Sequence, residues 1–176
     1  MAYGLRKLVA VISNDIDKPA ADFLLNILSI KGYIVQYLPA REVKKTLLGT
    51  ITGEPELIDG NQSYVIIGGH KAPETGWISS YFLSDAEEKA LEKLGAIVIS
   101  GPHYKGYQVF VVAGHDYLDT KRAVEKFAAE VTPAVREEEL EDKLAKWLEE
   151  ETFGIKNKYL LLGGSALLAL FILTRR

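Results

Sequence analysis

The chain has 176 residues, 48% of them hydrophobic, and a formal net charge of −3. That length and composition suit roughly one domain with a sizeable core, and the charge, with no basic patch interleaved with aromatics, argues against a nucleic-acid partner. The absence of cysteine excludes disulfides, thiolate metal sites and cysteine nucleophiles. Lysine and glutamate dominate the charged residues and methionine is nearly absent, a composition that leans towards a hyperthermophilic source.

In chain order, "KLVAVIS" (7–13) is a continuous apolar run rich in branched residues, which predicts a strand covered on both faces. Asp17 as an N-cap and Pro19 in the first turn open a helix carrying Phe23, Leu24, Ile27, Leu28 and Ile30, and Gly32 closes it. "YIVQYLP" (33–39) completes a β-α-β unit. "AREVKKTLLGTI" (40–51) reads as a further helix, followed by an irregular polar connection.

"YVIIGG" (64–69) is a third strand ending in two glycines, and "HKAPETGWISSYFL" (70–83) reads as a long surface loop or short helix. Ser84 with Glu87 forms a capping-box pattern for a helix that Gly95 terminates. "AIVIS" (96–100) and "YQVFVVAG" (107–114) are separated only by "GPHYKG", too short for a parallel crossover, so an antiparallel hairpin is expected. "DTKRAVEKFAAEV" (119–131) forms a helix with Ala123, Val124, Phe127 and Ala128 towards the core. The fold class is therefore α/β: a layered sheet, mainly parallel with one antiparallel hairpin, and helices on its faces.

Past residue 132 the character changes. Residues 133–154 place Leu140, Leu144, Trp147 and Leu148 on one stripe, a narrow amphipathic helix suited to a stalk. Residues 155–176 form the expected membrane anchor, with the uncharged run "YLLLGGSALLALFIL" at 159–173. Fifteen helical residues span about 22 Å, and snorkelling Lys156, Lys158 and the terminal arginines extend that towards the roughly 30 Å hydrocarbon core. Tyr159, Gly163, Gly164, Ser165, Ala169 and Phe171 are its marked positions; the small residues at 163–166 and 169 would let two such helices approach closely. The N-terminal apolar run is too short for a signal-peptide core, which implies a tail-anchored arrangement.

The three histidines each follow a glycine or Gly-Pro after an apolar run: His70, His103 and His115. Imidazoles commonly bind metals, and ligands of parallel α/β sheets bind outside the carboxyl ends of the strands. There His70, His115 and Asp116 would meet the loop after strand one, with Asp15 as a further carboxylate. His103, at the far end of the hairpin, lies about 20 Å from that edge, so three histidines cannot converge. His70 and His115 with Asp15 or Asp116 remain a candidate ligand or acid-base edge, against the plainer reading of polar turn residues. "IIGGHKAPETG" could cradle phosphate, but it carries neither Rossmann nor P-loop spacing. Ser79, Ser80 and Ser100 sit in no nucleophile elbow. Trp77, Tyr81 and Phe82 are aromatic residues of the type found at interface hot spots, and packing on the domain's own sheet is the competing reading.

The order of Gly68 and Gly69 ending one strand, then Val111 to Gly114 ending another, then Asp116, Thr120, Ala123 and Val124 in a turn and helix, resembles archaeal S-layer and S-layer-like envelope proteins. The resemblance covers about residues 64–127 and implies a structural or adhesive module. His70 stands where that pattern has a proline or similar turn residue. Lysines before the apolar run outnumber the arginines after it, which favours a cytoplasmic domain, whereas the resemblance favours the outside.

The expectation is a membrane-anchored, non-enzymatic α/β module that contacts a protein partner or itself, touches lipid through its C-terminal helix, and needs no cofactor. The alternative is a membrane-tethered metal-dependent enzyme or a small-ligand-binding domain working at the edge around His70 and His115.

Overall fold

In the computed structural model the apolar runs pair into one five-stranded sheet of order β2-β1-β3-β5-β4. Its strands are β1 (Leu8–Ser13), β2 (Ile34–Pro39), β3 (Gln62–Ile67), β4 (Ile97–Lys105) and β5 (Tyr107–Gly114). All neighbours run parallel except β4, which returns antiparallel along β5. The structure describes residues 2–46, 54–57 and 61–134, and the backbone of 151–152 and 155–156.

Successive strand residues point to opposite faces, and here each face meets its own core. Val9, Val11, Val65, Ile67, Phe110 and Val112 pack with helices α1 (Lys18–Ile30) and α4 (Tyr117–Glu130). Ala10, Ile12, Tyr64, Ile66, Val109, Val111 and Ala113 pack with α2 (Gly76–Phe82) and α3 (Asp85–Leu91). Burial on both faces is why these strands read as unbroken apolar runs rather than alternating ones.

The expected helix at 40–51 is not formed over its described part. A single 3-10 turn spans Ala40–Glu42, and Val43 then turns extended and buries its side chain beside Ala40 and Leu57. A branched side chain docking into the core overrides the helical propensity of the lysines that follow. Lys45 instead bridges Pro55, and 47–53 lie outside the described residues. The aromatic stretch 70–83 resolves into a loop and the short helix α2.

"GPHYKG" is not a loop. β4 continues through it to Lys105 with a register shift between Ser100 and His103, leaving only Gly106 before Tyr107. Pro102 is tolerated because β4 is an edge strand and the irregularity removes the need for its missing N–H. The capping box forms as expected: Ser84 Oγ accepts from Glu87 N at 3.4 Å, and the Glu87 carboxylate accepts from Ser84 N at 2.8 Å.

At the opposite end of the sheet from the strand exits, Lys31 ends α1 almost fully buried. Its ammonium donates to the carbonyls of Ala128, at 2.8 Å, and Val131, tying α1 to the end of α4. Burial pulls this lysine down to about 8 from 10.5. The unfolded chain holds the proton through that interval while the folded chain sheds it, so stability should rise with pH above about 8, by at most about 3 kcal/mol in full. Urea midpoints measured between about pH 8 and 9.5, below the tyrosine range, should climb for the native chain and stay flatter for Lys31→Met.

The chain divides into two units, Met1–Ala134 and Val135–Arg176. In the second, Glu151–Thr152 and Ile155–Lys156 pair as a two-stranded antiparallel ribbon, β6 and β7. Residues 151–152, at the end of the expected stalk helix, and 155–156, at the start of the expected anchor, are therefore strands. Leu140, Leu144, Trp147 and Leu148, and the apolar run 159–173 with its marked positions, lie outside the described residues. Among the described residues, no helix is long and apolar enough to cross a membrane.

Candidate functional site

β1, β3 and β5 all end at one edge, and the loops leaving them enclose a crevice of about 300 Å³. This is the place where a parallel α/β sheet leaves room, because its helices start from the carboxyl ends of the strands. His70, His115 and Asp116 all line it, as their strand-end positions require.

The loop geometry depends on two glycines. Gly68 has φ +127°, and a Cβ there would lie 2.6 Å from Thr75 Oγ1. A Cβ at Gly114 would lie 2.1 Å from the backbone nitrogen of Thr120, so the first turn of α4 rests directly on the end of β5. That approach lets Gly114 N donate to Thr120 Oγ1 at 3.1 Å.

Asp116 serves as the N-cap of α4, accepting from Asp119 N at 2.9 Å. His115 Nδ1 bonds the carbonyl oxygen of Leu91 at 2.8 Å. Because a carbonyl only accepts, Nδ1 carries the hydrogen, and Nε2 of the neutral ring keeps its lone pair. His70 Nδ1 is buried without a hydrogen-bond partner. The loop that carries it is held by Asn14, whose amide donates to Pro73 O at 3.1 Å and Thr75 Oγ1 at 3.3 Å.

Asp15 is not part of this edge. Its exposed carboxylate turns towards the 3-10 turn and pairs with Arg41 at 3.1 Å. In its place Asp17, only 5% exposed, lines the crevice beside Asp116. It occupies the N-cap position of α1, yet its side chain makes no capping bond. Burial raises its carboxyl above the ordinary range, and a hydrogen bond from Asn14 opposes that shift. The sequence reading places Asp15 at this edge and gives Asp17 only as the N-cap of α1; the structure exchanges the two. Lys71 and Glu92, also at the crevice, pair at 2.9 Å, and that bond holds Glu92 below its ordinary value.

His103 is excluded from this edge. It pairs with Val109, five residues before the end of β5. Its Nε2 bonds Ser100 Oγ at 3.0 Å and its ring lies 5.7 Å from that of Phe82. Burial lowers its pKa, with Glu87 opposing. Ser79 is buried and donates to Gly68 O at 2.6 Å. Ser100 and Ser79 are thus engaged in holding the fold.

Of the three aromatics, Phe82 is buried in the α2–α3 core and presents little surface. Trp77 and Tyr81 are half-buried against the same core, with Lys45 over the indole at 5.2 Å and Lys105 over the phenol ring at 4.4 Å. Among the described residues, no group of three or more His, Asp or Glu side chains is placed to hold a metal ion.

No family model matches the chain, and no curated protein matches it. Among solved structures it is similar to one described as "Structure of CpGH84D", at a TM-score of 0.42 and 16% identity over 71% of this chain. The chain spans 18% of that protein's length, and a likeness of this degree carries no argument about activity.

Proposed function

We propose that the protein is a membrane-anchored, non-enzymatic α/β module that makes protein contacts, with a partner or with itself, at an archaeal cell envelope. The observation that carries this reading is how the polar side chains at the strand ends are used. Asp116 caps a helix, Asn14 spans two loops, Ser79 fixes the β3 turn and Asp15 pairs with Arg41. A hydrolytic site keeps a nucleophile and a base within reach of each other; here those groups are committed to holding the scaffold.

The uncharged run at 159–173 supports anchoring, and the glycine-ended strands followed by the α4 turn support the S-layer-like resemblance. The contact face is the outer side of α2, where Trp77 and Tyr81 remain half-exposed between two lysines. Large aromatics flanked by cations are the composition of interface hot spots. Trp77→Ala should abolish most cross-linked adducts of the full chain in native membranes while leaving its thermal midpoint within a few degrees. An unchanged adduct pattern, or an unfolded variant, would overturn the assignment of this face.

A further inference from the structure

β2 is one of the two outer strands of the sheet, and among the described residues no strand pairs with its far edge. Ile34 N donates to Lys7 O, so the parallel ladder turns the backbone groups of Ile34, Gln36 and Leu38 towards β1. The N–H and C=O groups of Val35 and Tyr37 therefore point outward, and among the described residues no backbone group bonds them. Such a row of open groups is a template for another strand.

The two outer strands meet that hazard differently. β4 carries Pro102, a register shift between Ser100 and His103, and Lys105, devices that discourage further pairing. Along β2 the ladder runs without a shift from Ile34 to Pro39, and "GYIVQYLPA" (32–40) holds no charge. Lys18, over the Tyr37 ring, pairs with Asp22 at 2.7 Å, and Arg41 pairs with Asp15 at 3.1 Å, so neither brings an unpaired charge to this edge. Ile34, 59% exposed, leaves apolar surface uncovered beside it.

The occupant this edge fits is a second copy of itself. Tyr33 N is spent on Leu28 O, and Pro39 has no N–H. On β2 only Val35 and Tyr37 have both outward groups to exchange. For two antiparallel copies related by a two-fold axis, one register uses both residues: Val35 opposite Tyr37 of the second copy, Tyr37 opposite its Val35, and the two Gln36 residues facing each other across the axis. Both pairs exchange two bonds, about four in all, and the bonding stops at each end where the donors run out. The same register lays Ile34 opposite Leu38 of the second copy on one face and joins a β-branched residue to an aromatic one on the other, pairings that stabilise sheets. The two-fold axis supplies each of these complements twice.

We propose that β2 is a self-association edge, where two copies join their five-stranded sheets into one continuous sheet through antiparallel β2 pairing centred on Gln36. This edge is separate from the outer side of α2, and the proposal stands whether or not that side is a contact face.

The chain has no cysteine, so a single introduced thiol reports the register. In the paired copies the Cα atoms of the two residues at position 36 stand about 4.5 Å apart, within the span of a disulfide. Those at position 34 are offset by four residues, about 13 Å along the strand. Under mild oxidation of the full chain in detergent micelles, Gln36→Cys should convert largely to a disulfide-linked dimer, and Ile34→Cys, although well exposed, should stay monomeric. Hydrogen exchange reads the native chain itself: the Val35 and Tyr37 amides should slow by at least about tenfold as protein concentration rises. Gln36→Lys, which sets like charges directly opposite each other, should keep both amides fast with an unchanged thermal midpoint. As much linked dimer from Ile34→Cys as from Gln36→Cys, none from Gln36→Cys, or exchange at Val35 and Tyr37 that ignores concentration would overturn the proposal.

Discussion

Gly114→Ala should cost the domain about 3–5 kcal/mol, enough to leave little of the 5–15 kcal/mol typical of a folded domain. An added Cβ would stand 2.1 Å from Thr120 N and 2.2 Å from Asp119 C, both backbone atoms of the first turn of α4. A side chain could rotate away from such a clash; a helix turn cannot. α4 has nowhere to retreat, because Ala123, Val124, Phe127 and Ala128 are fully buried against the sheet and α1. Phe127 is further fixed by ring contacts with Tyr3 and Phe110 at 5.1 and 5.3 Å. Moving α4 by an ångström would also break the Gly114–Thr120 bond and shift the Asp116 cap. Urea unfolding of Gly114→Ala should show a large drop in midpoint with little change in slope. A midpoint near that of the native chain would mean that the β5–α4 junction is looser than its geometry.

This glycine also shows what the sequence made legible. "VVAGHD" reads as a strand, a turn and a polar exit, and the structure has all three. It did not reveal that Gly114 is there for the close approach of a helix, because only the packed position of α4 creates that demand. β1, β3 and β5 were readable for the opposite reason: burial on both faces imposes a local signature, the continuous apolar run. The hairpin was readable from the shortness of its link, although the strand hidden in "GPHYKG" was not, since Gly101 and Pro102 look the same in a loop and in an irregular edge strand.

The misread segments share a cause. Val43 ends a would-be helix by docking into the core, and Phe82 turns inward while Trp77, five residues earlier on α2, stays half-exposed. Asp15 reads as the edge carboxylate and Asp17 as a helix cap; Arg41, remote in sequence, draws the first away, and the start of α1 buries the second. Each outcome is decided by a tertiary neighbour. The crevice was legible as a place, from the strand-end rule, but its donor and acceptor balance depends on which side chains the loops consume.

The proposed anchoring through residues 159–173 makes the second large prediction. A charged side chain near the centre of a membrane helix costs about 2.5–3.5 kcal/mol on the insertion scale, and the leucine it replaces contributes a few tenths. Leu162→Arg together with Leu167→Arg should therefore cost about 6 kcal/mol of insertion free energy. Positions so near the termini of the run would partly escape by snorkelling, which is why the pair flanks its middle. Both sites lie in the second unit, Val135–Arg176, so the sheet, the crevice and α2 of the first unit keep their own contacts.

Flotation of the full-length protein with lipid vesicles after an alkaline wash is the most direct measurement of the anchored-module account. The native chain should float with the lipid, and the Leu162→Arg, Leu167→Arg chain should remain in the dense fraction with an unchanged thermal midpoint for its α/β domain. A native chain that stays behind with the doubly substituted one would contradict the account.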